Sequence, residues 1–138
     1  MPQHKFTIPS RRGEALSALV DLPVDGAPTA FALLAHCFTC TKDYTGLYHL
    51  SRALTAEGIG VLRFDFAGLG ESGGAFADTS LLSIVEDLVA AADFLGERFE
   101  APKLLIGHSL GGQAVLMAAP AIPSAAAVVT LAAPADPR

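Results

Sequence analysis

The sequence predicts an α/β domain: a mainly parallel sheet of about six strands with helices on both faces. Three observations predict it. The 138 residues, 51% of them hydrophobic, fit one domain (1–138) with a sizeable core. After an opening hairpin, short apolar runs alternate with longer amphipathic ones. One short run, "FALLA" at Phe31–Ala35, is apolar throughout, as a strand covered on both faces must be.

The elements follow in order. Phe6–Ile8 and Ala15–Leu22 read as strands around the turn "SRRGE". The second alternates, with Leu16, Ala18, Val20 and Leu22 on one face. "PVDGAP" is a loop, and Phe31–Ala35 is the central strand. Gly46–Glu57 is helical, with Leu47, Leu50 and Leu54 in one stripe and Gly58 as its stop. Gly60–Phe64 is the next strand, and "DFAGLGESGG" a glycine-rich loop. The long helix spans Thr79–Phe99; Leu81, Val85, Leu88, Ala92, Leu95 and Phe99 recur at helical spacing. Asp78 is placed to cap it, and Pro102 bars continuation. Lys103–Ile106 is a strand, Leu110–Ala119 a helix and Ala125–Leu131 a last strand. Such a sheet has right-handed crossovers and binds ligands at the carboxyl ends of its strands.

Composition excludes several classes. Charged residues make up 17% of the chain, and the net charge is −5. That leaves no basic footprint for nucleic acid or an anionic membrane. The N-terminus lacks the basic start and apolar core of a signal peptide, and Pro120, Pro123 and Pro134 interrupt the Ala-rich end. The expected location is the cytoplasm. Two cysteines, Cys37 and Cys40, are too few for a disulfide scaffold.

The segment "GHSLG" at 107–111 fits G-x-S-x-G between a strand and a helix. A serine there stands on a tight turn above the sheet. Gly107 and Gly111 remove side chains that would collide as strand and helix fold back. The amide of Leu110, at the positive end of the helix, can donate to a developing oxyanion.

At these residues the chain resembles the α/β-hydrolase superfamily. "AHCF" at 35–38 resembles the His-Gly segment that supplies the second oxyanion amide, with Cys37 where the family usually has glycine. The resemblance implies the Phe38 amide as that donor and His36 as the brace of the loop. "DFAGLGES" at 65–72 resembles the family's Asp-x-x-Gly-x-Gly-x-Ser loop, which Asp65 would tie down. The wording is most similar to the hydrolase part of bacterial fusions with an OsmC-like domain, although no OsmC-like segment is present. The resemblance implies an esterase-like serine hydrolase that takes small-molecule acyl substrates through an acyl-Ser109, with no metal or cofactor.

The serine's partners are the difficulty. The family order is Ser, then acid, then His, yet none of the 4 histidines (His4, His36, His49, His108) follows Ser109. His36 reads as a loop brace rather than a base, and His108 as a packing residue whose ring projects away from the hydroxyl. His49 reads as solvated, and His4 as lying near a frayed end. Asp136 follows the last strand, where some relatives carry their acid; the other reading is a solvated terminal aspartate. The resemblance implies about eight strands in a complete core. The expectation is therefore the N-terminal part of such a fold, with an exposed last strand prone to self-association.

Two further readings compete. One is a catalytically idle binding or scaffold domain, consistent with the missing histidine. The other is thiol redox chemistry at Cys37 and Cys40, against which the helix begins several residues past Cys40. "GLGESGG" fits no phosphate-loop pattern. Glu86, Asp87 and Asp93 read as the solvated face of the long helix.

Overall fold

The computed structural model describes residues 2–36, 41–75 and 79–132. Six strands form one sheet in the order β1-β2-β4-β3-β5-β6. β1 (Gln3–Pro9) and β2 (Ala15–Asp21) form the antiparallel hairpin, and β2 also pairs antiparallel with β4 (Ile59–Phe64). β4, β3 (Ala30–Ala35), β5 (Leu104–His108) and β6 (Ala127–Leu131) run parallel. Three helices connect them: α1 (Thr45–Ala56), α2 (Leu81–Arg98) and α3 (Leu110–Ala118), the last followed by a 3₁₀ turn, Ala119–Ala121.

Side-chain alternation along the strands splits the core in two. Leu33, Leu62, Phe64 and Leu105 pack with Ile84, Leu88 and Leu95 of α2 and with Ala114, Val115 and Ala118 of α3. Ala32, Leu34, Val61 and Ile106 face the other way, onto Leu47 of α1. The helices thus cover both faces, as the alternation of apolar runs predicts.

Several boundaries move. β1 begins at Gln3, so His4 is an exposed residue of a paired strand, opposite Val20, and not part of a frayed end. β5 runs two residues past Ile106, to His108. Asp78 lies outside the described residues, and the N-cap of α2 is Ser80. Its hydroxyl accepts from the Ser83 N–H, while the Ser83 hydroxyl accepts from the Ser80 N–H, a reciprocal cap. β6 pairs with β5 at the edge of the sheet and leaves Val129 and Leu131 exposed. Among the described residues, no helix is long and apolar enough to cross a membrane.

Candidate active site

The strand order fixes where a site can form. β3 leads through α1 to β4 on one side, and β5 leads through α3 to β6 on the other. β3 and β5 are neighbours, with Ala35 opposite Gly107. Their outgoing connections lead to helices on opposite faces of the sheet, and the carboxyl ends of strands at such a switch point are where these sheets bind ligands. His36 directly follows β3 and Ser109 directly follows β5.

Ser109 makes the whole turn from β5 to α3, since the strand ends at His108 and the helix starts at Leu110. Its backbone sits at φ 56 and ψ −118. Left-handed φ at a residue with a side chain costs of order 1–3 kcal/mol and survives only where its surroundings enforce it. They do so here through two bonds: the Ser109 N–H donates to the Leu131 carbonyl at 2.8 Å, and the Gly112 N–H donates to the Ser109 carbonyl at 2.9 Å. The hydroxyl caps no helix N–H, and the residue is half-buried. Leu110 opens α3, where the first backbone N–H groups have no acceptor within the helix.

Two glycines let the turn sit this low. A Cβ on Gly111 would come within 2.5 Å of the Ala35 carbonyl oxygen and 2.6 Å of that of His36. A Cβ on Gly107 would run into the Gly111 carbonyl. The first turn of α3 therefore touches both β3 and β5 through main chain alone, which brings Ser109 beside the 36 loop.

The histidines take distinct places. His36 is fully buried, and its Nε2 accepts the Phe66 N–H at 3.3 Å. An amide can only donate, so that nitrogen carries no proton. The ring also lies 4.6 Å from that of Phe66. His108 stacks on Tyr44, centroids 5.8 Å apart and 10° from parallel. Its Nδ1 is buried with no hydrogen-bond partner among the described residues. His49 is exposed on α1.

Asp65, at the exit of β4, is fully buried and acts as a hub. Its Oδ1 accepts the Lys42 N–H at 2.8 Å. Its Oδ2 accepts the Lys42 ammonium and the Glu71 N–H, both at 2.9 Å. Ser72 donates its hydroxyl to the Asp65 carbonyl at 2.6 Å, which closes the 65–72 loop. Lys42 is 1% exposed and also bonds Glu71 at 2.9 Å. Burial works to lower the pKa of its ammonium, but hydrogen bonds to Glu71 and Asp65 outweigh that and hold it above its ordinary range.

A second buried group adjoins the first. Arg63 gives Nε to Asp21 at 2.7 Å and Nη1 to the Lys42 carbonyl at 2.7 Å. Ser51 of α1 donates to the same Asp21 carboxylate at 2.5 Å. Sequence reasoning missed Lys42, Arg63, Asp21, Ser51 and Tyr44. The signal was present for two of them: Arg63 and Asp21 occupy strand positions whose neighbours on both sides are apolar.

The acids of α2 divide. Asp93 is exposed, but Asp87 is buried and accepts the Ala67 N–H at 2.8 Å, which corrects the expectation of one solvated face. The loop after β4 lies over this turn of the helix. Burial pushes the Asp87 carboxyl up to about 6. Cys37, Phe38, Cys40 and Asp136 lie outside the described residues. No group of three or more metal-ligating side chains gathers among the described residues.

The model of the family "Serine aminopeptidase, S33" matches residues 27–136, more than half of the chain. No curated protein matches. Among solved structures, the esterase domain of a Rhodothermus marinus protein is similar at 50% identity and a TM-score of 0.82, over 99% of this chain and 52% of that one. An α/β serine hydrolase without lid from Xanthomonas campestris is similar at 26% identity and a TM-score of 0.85, over 98% and 64%. Est1E from Butyrivibrio proteoclasticus, with ferulic acid bound, is similar at 25% identity and a TM-score of 0.81, over 89% and 50%. The chain thus spans about half to two thirds of the length of these neighbours. It belongs to the serine aminopeptidase S33 family of α/β-hydrolases.

Proposed function

We propose that the chain carries the nucleophile and oxyanion side of a serine hydrolase for esters or other small acyl substrates. The observation that carries this reading is Ser109 at φ 56, on a one-residue turn at the carboxyl end of β5, the neighbour of β3. The similar esterase structures support the substrate class.

In this reading the Ser109 Oγ attacks the acyl carbonyl carbon and its proton passes to a base. The carbonyl π electrons move to oxygen, which the N–H groups of Leu110 and Phe38 hold. Collapse expels the alcohol, which takes the proton, and leaves acyl-Ser109. Water then attacks the same carbon and releases the acid and free serine. Gly107, Gly111, His36 and Asp65 support the turn and the facing loop.

His36 holds no free Nε2 for the base's role, because that nitrogen already accepts the Phe66 N–H. His108 faces Tyr44. The reading therefore takes its base from neither of these two histidines. An unassisted serine hydroxyl is a weak nucleophile at neutral pH. Turnover of a short acyl ester such as 4-nitrophenyl acetate tests the reading, measured on the 138 residues and on the natural reading frame that encodes them. The expected result is slow turnover by the former, faster turnover by the latter, and loss of about a thousandfold or more in Ser109→Ala. Equal turnover in Ser109→Ala would instead favour an idle binding domain or chemistry at Cys37 and Cys40.

A further inference from the structure

We propose that Lys42 and Asp65 are positioning residues for the connection between β3 and α1, fastening its far end to the exit of β4. The proposal deepens the reading above and rests on it, because that connection carries the proposed Phe38 donor.

The geometry is that of a strap fastened at both ends to adjacent residues. At the near end, His36 accepts the Phe66 N–H and packs its ring on that of Phe66. At the far end, one carboxylate grips Lys42 twice: Asp65 Oδ1 takes its backbone N–H, and Oδ2 takes its ammonium. Arg63 takes the remaining main-chain group, the Lys42 carbonyl. Both main-chain polar groups of Lys42 are thus bonded to residues at the end of β4; its ammonium bonds Asp65 and also Glu71 and Asp43, and the Lys42 and Asp65 side chains are both buried.

A fold-stabilising ion pair would need only the ammonium. The two bonds to the Lys42 main chain fix the path of the backbone as well. Asp65 cannot drift, since Oδ2 also accepts the Glu71 N–H and its carbonyl accepts the Ser72 hydroxyl. Arg63 is anchored in turn by Asp21, which Ser51 of α1 also binds. The near end touches the serine turn directly, because Gly111 lies against the carbonyls of Ala35 and His36. An oxyanion donor acts only when preplaced to within a fraction of an ångström, so a strap of this kind controls rate more than affinity.

The test compares wild type, Lys42→Met, Lys42→Arg and the charge-neutral pair Lys42→Met/Asp65→Asn in the natural reading frame. The pair removes both buried charges and serves if the single variant does not fold. Amide hydrogen exchange and ester turnover are read together. The expected result for Lys42→Met is exchange about tenfold faster in peptides covering 36–44, with 104–118 still protected. Its kcat falls about tenfold or more, KM stays within about twofold, and Lys42→Arg recovers part of the loss. Unchanged exchange at 36–44, loss of protection spread over the whole fold, or a change in KM alone would overturn the proposal. Failure of the serine reading shows separately, as equal turnover by wild type and Ser109→Ala; the exchange result then still reports on the strap.

Discussion

On the face of the sheet covered by α2 and α3, Leu33, Leu62, Phe64 and Leu105 share one core with apolar side chains of the helices. On the face under α1, the same sheet presents Arg63 and Asp21 beside Val61 and Leu34, and the row continues into Lys42 and Asp65. The first face is held by burial, which is non-directional and tolerates small shifts. The second is held by hydrogen bonds between charged groups, which set angles and distances. Apolar packing supplies most of the stability, and the charged row supplies a defined geometry where the β3–α1 connection leaves the sheet.

The largest effect that would break this contrast is at Arg63. Arg63→Leu leaves the Asp21 carboxylate buried without its counter-charge, and should destabilise by about 3–5 kcal/mol. Asp21→Leu/Arg63→Leu should recover most of that loss. Leu88→Ala on the other face should cost about 2–5 kcal/mol, with no single second substitution to restore it. Denaturant unfolding monitored by circular dichroism measures all three. Equal instability of the Arg63 single and double variants would mean that the charged row acts as ordinary packing.

Acidity sharpens the same contrast. Asp87 lies on the apolar side and is held by one amide. Its folded pKa, about 6, lies above the ordinary 3.8. Between those values the folded state binds more protons than the unfolded one, so stability falls as pH rises through that window and stays lower above it. Asp87→Asn keeps an acceptor for Ala67 and should remove this dependence. The expected gain at pH 7 is about 1–2 kcal/mol, discounted for solvent screening, and no gain is expected at pH 3. Lys42 behaves in the opposite way. Its pKa is raised, so its contribution is complete below its ordinary value and is lost only as pH rises through the higher folded value. The Lys42 contribution should therefore be insensitive to pH across the neutral range, as melting curves at pH 5 and 8 in the Asp87→Asn background, with and without Lys42→Met, would report.

The smallest effect is local. Ser80→Ala removes the cap of α2 and should cost about 1 kcal/mol. It leaves both faces otherwise intact, so a larger loss would mean that α2 docks through its end more than through its apolar stripe.

Strands and helices were legible because alternation and helical spacing are local signals. Leu16, Ala18 and Val20 are all buried on one face, as their spacing predicts. The turn at Ser109 was legible because two glycines bracket the serine where a strand gives way to a helix. The Lys42–Asp65 pair was not, since 23 residues separate its partners: Asp65 carries a loop-tying role in the motif, but nothing local marks Lys42 as its partner. Asp87 was misread because a helical stripe says nothing about which loop will cover the other side. The cap of α2 was placed two residues early because Ser and Asp cap equally well, and only the reciprocal bond between Ser80 and Ser83 decides.

The most direct measurement is covalent. The natural reading frame is incubated with a fluorophosphonate, and the labelled peptide is located by mass spectrometry. The account predicts a single adduct on Ser109, within 104–118, that is absent from Ser109→Ala. An adduct on any other residue, or labelling that survives Ser109→Ala, would contradict it.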